Sequence, residues 1–279
     1  MKYIKLFENF DSSEIDEICN EYGITNYTIN PDGSIDVDGD VKFKYINLTK
    51  LPLKFNRVSG NFICSSNKLV SLIGCPNYVG RDFVCSWNKL TNLEGCPNYV
   101  GGYFDCARNQ LTNLDGCPKE VADSFDCRDN KLTSLIGCPR EVGGEFFDCS
   151  HNQLTSLIGC PNYVEGDFYC YNNQLVNLIG CPNEINGMLN CKSNKITSLE
   201  GAPNRIQGDS YYDDNPIDSI ISIFGYVAKI CLEYQETYNF IRKDFKIVKH
   251  LLEEAIRDYN EYYNNQVELP EKIEGYTYI

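Results

Sequence analysis

The chain has 279 residues, 42% of them hydrophobic, which is enough for a sizeable core, and it contains no apolar run of the length needed to span a membrane as a helix. Its formal net charge of -14 argues against nonspecific attraction to nucleic-acid backbones or anionic lipid and favours a basic partner. The start, from Met1 to Phe10, breaks its apolar residues with polar ones and shows no secretory signal. The expectation is therefore a cytoplasmic chain, in which the sequons at Asn26 and Asn47 carry no meaning.

Residues 1–40 read as an N-terminal cap. The segment Asp11 to Glu21 predicts a short helix, capped by Asp11, Ser12 or Ser13, with Ile15, Ile18 and Cys19 on one face. Asn26 to Asn30 and Ser34 to Val37 alternate apolar and polar residues around Pro31-Asp32-Gly33, a hairpin signal. Together they would cover the first open strand edge of the region beyond residue 40.

Residues 41–216 carry a repeat of 21 residues, roughly N-x-L-x-x-L-x-G-C-P-x-x-V-x-G-x-F-x-C-x-x. Its asparagines are Asn67, Asn88, Asn109, Asn130, Asn152, Asn173, Asn194 and Asn215, and only the step from Asn130 to Asn152 is 22. So short a fixed period means stacked coils, a solenoid of about eight units. Phe83 and Cys85 lie two apart and point inward from a short strand, while Asp82, Val84 and Ser86 point outward. Each repeated Asn should be buried at a turn with its amide bonded to backbone groups. The Pro after each Gly-Cys bars a continuing helix, so the far side of each coil should be extended or only briefly helical. The extra residue near Gly143-Gly144-Glu145 predicts a bulge or a loop insertion.

Gly80-Arg81-Asp82-Phe83-Val84-Cys85-Ser86-Trp87-Asn88-Lys89-Leu90 fits L-x-x-L-x-L-x-x-N-x-L, so each unit resembles a short leucine-rich repeat. The resemblance covers about residues 41 to 217. It implies an α/β solenoid with an in-register parallel β-sheet, few convex helices and a concave face suited to a protein partner. About eight strands would span on the order of 35 Å.

Thirteen of the 15 cysteines fall in two repeat columns, Cys64 to Cys191 and Cys75 to Cys181; Cys19 and Cys231 lie outside them. In columns shared with Leu, Phe and Val, a thiol acts as a small hydrophobe. Reduced, buried thiols are expected rather than disulfides, and the lack of Cys-x-x-Cys pairs argues against zinc.

Residues 217–279 read as a helical C-terminal cap. Ile217, Ile220, Ile221 and Phe224 begin a helical pattern, and Ile247, Val248, Leu251, Leu252, Ala255, Ile256 and Tyr259 form an amphipathic helix. The Lys-Leu-Phe-Glu-Asn-Phe start, the Gly-Cys-Pro and Phe-x-Cys columns and the Lys272-to-Ile279 end resemble leucine-rich repeat proteins of large tailed phages and some bacteria. That resemblance implies expression inside a bacterial cell and a host protein as a natural target.

Catalysis needs unlike groups converging in a cleft. The two histidines, His151 and His250, are far apart in any stacked arrangement, and no nucleotide-binding glycine pattern stands where one is needed, so no enzyme, cofactor or metal is expected. The outward strand columns hold seven Asp, two basic residues and five aromatics. Asp105, Asp126 and Asp148 should form a side-by-side ladder whose like charges repel. With Asp82, Trp87, Tyr103, Phe146, Asp167, Tyr169, Tyr171, Tyr211 and Asp213 they make the candidate partner-binding set, an acidic and aromatic face for a basic protein or peptide. Three other readings stay open: plain surface polarity, a Ca²⁺ site on the ladder, and mimicry of nucleic acid toward a DNA-binding protein. A structural, virion-associated role is a further alternative.

Overall fold

A computed structural model describes residues 10–225, 228–238, 240–242, 246–273 and 276–279. The first nine residues, which contain most of the phage-like start, lie outside the described residues.

Helix α1 spans Ser12–Tyr22. Asp11 caps it, accepting from the Ser13 and Glu14 amides, while the Glu14 carboxylate accepts from the Asp11 amide; Gly23 ends it in the left-handed region. The hairpin forms as expected, with Tyr27–Ile29 antiparallel to Ile35–Val37. Its second strand pairs parallel with Phe55–Val58, so the hairpin closes one end of a repeat sheet.

Each coil contributes two short strands, and the coils stack into two parallel sheets. One has nine strands and runs from Val41–Lys42 to Ser210–Tyr211. It is the in-register sheet expected from the repeat, with Phe62, Phe83, Phe104, Phe125, Phe147, Phe168 and Leu189 in line. The phenylalanine rings stack within the core, as in Phe83 on Phe104 at 5.8 Å and 8°. The second sheet has ten strands, eight from the repeat units and two from the hairpin, and uses the Tyr78–Val79 type of segment from each coil. It forms the far side of the coils, expected to be extended or only briefly helical, and residues 41–216 contain no helix. Val79, Val100, Val121, Val142 and Val164 point inward from it and meet the leucines and phenylalanines of the core.

The corner between a Leu pair and the second sheet needs glycine. At Gly95, φ is +87° and an added Cβ would lie 2.7 Å from the Leu72 carbonyl of the coil below. The extra residue is a loop insertion at the other corner. Val121 still pairs with Val142, and Phe125 with Phe147, so the additional residue is absorbed within Gly143–Glu145 and both ladders keep their register.

All 15 cysteines are free, ten of them buried and five partly exposed. Burial pushes the Cys85, Cys106, Cys127 and Cys149 thiols well above their usual range, which makes them poor nucleophiles. An aromatic disulfide reagent at about pH 8 should therefore react slowly with most thiols of the native chain and with all 15 after denaturation. A denatured count well below that would reveal disulfides and overturn the assignment.

After the last coil, helices α2 (Asp218–Ile221), α3 (Ala228–Tyr238) and α4 (Lys249–Tyr263) form the cap. It is not purely helical. Ile247 and Val248, expected in α4, precede it: Ile247 belongs to a strand and Val248 is the N-cap. Lys246–Ile247 is the middle strand of a three-stranded sheet, between Ile241–Arg242 and Thr277–Tyr278. The cap has its own aromatic core, in which Phe224 contacts Tyr234, Phe240 and Tyr259 at 5.3 to 5.9 Å.

Candidate functional site

The outer face of the nine-stranded sheet carries the expected outward columns, but not as an exposed acidic ladder. Asp105, Asp126 and Asp148 are in register on adjacent strands. Asp126 is only 1% exposed and Asp148 only 4%, so neither can greet a partner directly. Their environment explains the burial. Each Asp ends its strand by accepting from the backbone amide two residues on: Ala107 to Asp105 at 2.9 Å, Arg128 to Asp126 at 3.0 Å and Ser150 to Asp148 at 2.9 Å. This is an Asx turn, which favours Asp at that position for local reasons. The free oxygens are then covered. The Tyr103 hydroxyl donates to Asp126 Oδ2 at 3.1 Å, and Arg128 Nη1 reaches Oδ2 of both Asp126 and Asp148, at 3.3 and 3.4 Å.

Repulsion from the neighbours is visible in the acidity of Asp126. Burial, then Asp148 and Asp105, pushes Asp126 up to about 7. Burial also raises Asp105. Asp126 and Asp148 thus share the Arg128 guanidinium. Among the described residues no group of His, Cys, Asp or Glu is arranged to hold a metal ion, because these oxygens already face protein donors.

Above the carboxylates runs a row of half-exposed rings. Tyr103 meets Phe146 at 5.8 Å, Phe146 meets Tyr169 at 6.4 Å, and Tyr169 meets Tyr171 at 6.4 Å, all edge to face. His151 extends the row, 5.1 Å from Tyr171. Tyr103, Asp105, Asp126, Phe146, Asp148, Tyr169 and Tyr171 are therefore one cluster.

The other candidate residues lie around it. Asp167 accepts from the Tyr169 hydroxyl at 2.8 Å and from the Met188 amide of the next coil at 2.8 Å. Asp82 accepts from the Tyr103 amide at 3.0 Å, tying coil to coil. Trp87 is 55% exposed on the turn, with the Arg108 guanidinium 4.2 Å from its ring centre. Tyr211 and Asp213 stand at the far end, both engaged by Lys192, which is 2.7 Å from Asp213. Sequence reasoning missed Arg128 and His151 as members of the cluster. The Asp-x-Arg spacing of Asp126 and Arg128 was the available signal, since residues two apart on a strand share a face.

The fold is a leucine-rich repeat solenoid. A solved structure described as a Shigella effector LRR domain is similar, with a TM-score of 0.52 and 17% identity; the match covers 75% of this chain and 92% of that one. No protein-family model matches the sequence, and no curated protein matches it significantly.

Proposed function

We propose that the chain is a noncatalytic protein-binding scaffold that takes a basic protein or peptide on the outer face of the nine-stranded sheet. The observation that carries this is the connected row Tyr103, Phe146, Tyr169 and Tyr171, half-exposed above the buried carboxylates Asp126 and Asp148, which share Arg128. Aromatic side chains give a large contact area at low entropy cost, and their faces attract guanidinium and ammonium groups. The buried carboxylates add a negative potential beneath the rings. The acidic part of the face thus acts through the rings, not by direct display. Burial of Asp126 and Asp148 disfavours mimicry of nucleic acid, which needs exposed negative groups at regular spacing. His151 is engaged by Asn172 at 3.3 Å and by the Tyr171 ring at 5.1 Å. By the phage resemblance, we place this activity in the cytoplasm of a bacterial cell.

Selection from a displayed library of random peptides should enrich Arg- and Lys-rich sequences on the native chain. The variant Phe146→Ser/Tyr169→Ser/Tyr171→Ser should lose that enrichment, with binding weakened at least about tenfold. Unchanged enrichment by the folded triple variant would place the docking surface elsewhere.

A further inference from the structure

Asp126 and Asp148 lie beneath the ring row as one buried pair. They are in register on adjacent strands, with backbones about 4.8 Å apart, and almost no water reaches either. A single atom serves both: Arg128 Nη1 stands 3.3 Å from Asp126 Oδ2 and 3.4 Å from Asp148 Oδ2. With both carboxylates ionised, the unit of two acids and one guanidinium keeps a net negative charge. With a proton on Asp126 the same unit is neutral. The negative potential beneath the rings therefore depends on one proton.

The groups facing Asp126 decide where that proton sits. From the preceding coil, Asp105 adds a like charge and the Tyr103 hydroxyl donates at 3.1 Å. From its own strand end come the Arg128 guanidinium and, at 3.0 Å, the Arg128 amide. From the following coil comes Asp148. Asp105 in turn feels Arg108 as well as Arg128. Two acids at strand spacing in a dry site disfavour a third charge between them. Burial, then Asp148 and Asp105, accordingly pushes Asp126 up to about 7.

This proton is in touch with the candidate binding face. Tyr103 donates to Asp126 through its hydroxyl and begins the row through its ring, 5.8 Å from Phe146. A cation laid on the rings meets the unit across protein, where charges are weakly screened. It is attracted when the unit is negative and gains nothing when the unit is neutral. Linkage is reciprocal, so a cation on the rings also favours loss of the proton. We propose that docking of a basic protein or peptide on the ring row expels a proton from Asp126, so that binding is weak in acid and strengthens as pH rises. This rests on the reading of the row as a site for a basic partner, and adds its control.

Calorimetric titration of the full chain with N-acetylated, amidated hexa-arginine is the test, because every charge on that peptide is fixed between about pH 5 and 9. Affinity at about pH 8 should exceed that at about pH 5.5 by at least about fivefold. At about pH 6.5, binding heats in phosphate and in Tris should differ by the release of up to about one proton per peptide. Asp126→Asn, whose unit is always neutral, should bind at both pH values as the native chain does in acid, and should release no proton there. His151, 5.1 Å from Tyr171, is the other side chain of the row able to take up a proton, and His151→Gln should keep the native pH dependence. Native binding that is equal at both pH values, or that expels no proton, overturns the coupling and leaves the face in place. Undiminished pH dependence in folded Asp126→Asn also overturns it. No binding, or binding unchanged in Phe146→Ser/Tyr169→Ser/Tyr171→Ser, removes the face and the coupling together. Circular dichroism checks the fold of each variant, and the proton count on the native chain needs none.

Discussion

Arg128→Met is expected to destabilise the chain by on the order of 3 kcal/mol at about pH 8, and by clearly less at about pH 5. Among the described residues Arg128 is the cation that bridges Asp126 and Asp148. Methionine keeps much of the stem's volume but leaves two carboxylates buried, adjacent and unpaired. The native chain already strains at this point, since Asp126 sits at about 7 instead of its ordinary 3.8 even with the guanidinium present. Asp126 also sets the sign of the pH dependence. Between those two values the folded chain holds a proton at Asp126 that the unfolded chain has released. This group's contribution to stability is therefore greatest in acid, falls as pH rises through the folded value, and is flat above it. Removing Arg128 raises the folded value further and extends the loss to higher pH. Urea unfolding at both pH values measures the effect. Asp126→Asn should flatten the pH dependence and rescue part of the Arg128→Met loss, because it removes one of the buried charges. Equal destabilisation at both pH values would show that Arg128 acts through its stem alone.

Asn109→Ala should cost a similar amount, about 3 kcal/mol, for a reason independent of charge. The Asn109 amide donates to the carbonyls of Cys85, Cys106 and Ala107 at 3.0 to 3.2 Å, and its oxygen accepts from Leu90 at 3.0 Å. One side chain thus joins two coils and satisfies groups that water cannot reach. Alanine leaves the buried Leu90 amide and its carbonyl partners without this bond. Asn109→Asp should be worse than alanine at neutral pH, because a carboxylate would face the same three carbonyls with no proton to give. Asn67→Ala, at the less buried first position of the ladder, should cost less. Unfolding midpoints rank the three, and amide exchange at Leu90 reports the specific loss. A solenoid is held by contacts between neighbouring coils, so a central break should also broaden the transition. If Asn109→Ala were neutral, the ladder would be a by-product of the turn and not its support.

The asparagine ladder is readable in the chain itself, because the same residue returns at the same phase in every coil. So are the inward phenylalanines and cysteines, whose alternation with polar neighbours reports one face of a strand. The Gly-Cys-Pro corner is marked by residues whose backbone limits are local. The second sheet is harder to see. Seven of its strands, such as Tyr78–Val79, are two residues long and too short to show alternation. Only stacking makes them strands, since each finds its hydrogen-bond partners in the coils above and below. The three-stranded sheet of the C-terminal cap is hidden for a related reason. It joins Lys246–Ile247 to Thr277–Tyr278, far apart in sequence, and nothing local to either segment announces the pairing.

The candidate site divides in the same way. Which side chains point outward from the nine-stranded sheet was determined by the sequence alone, through the two-residue period of a strand. Whether an outward side chain meets water was not, because that depends on what the adjacent coils place over it. Asp126 has the same phase in its coil as Asp105 in the one before, yet it is covered by Tyr103 from one coil earlier and Arg128 from its own strand end. The repeat therefore determined the fold, the core and the direction of every column. The tertiary structure decided which carboxylates are displayed and which are buried, because burial belongs to neighbours in space and the period speaks only of neighbours in the chain.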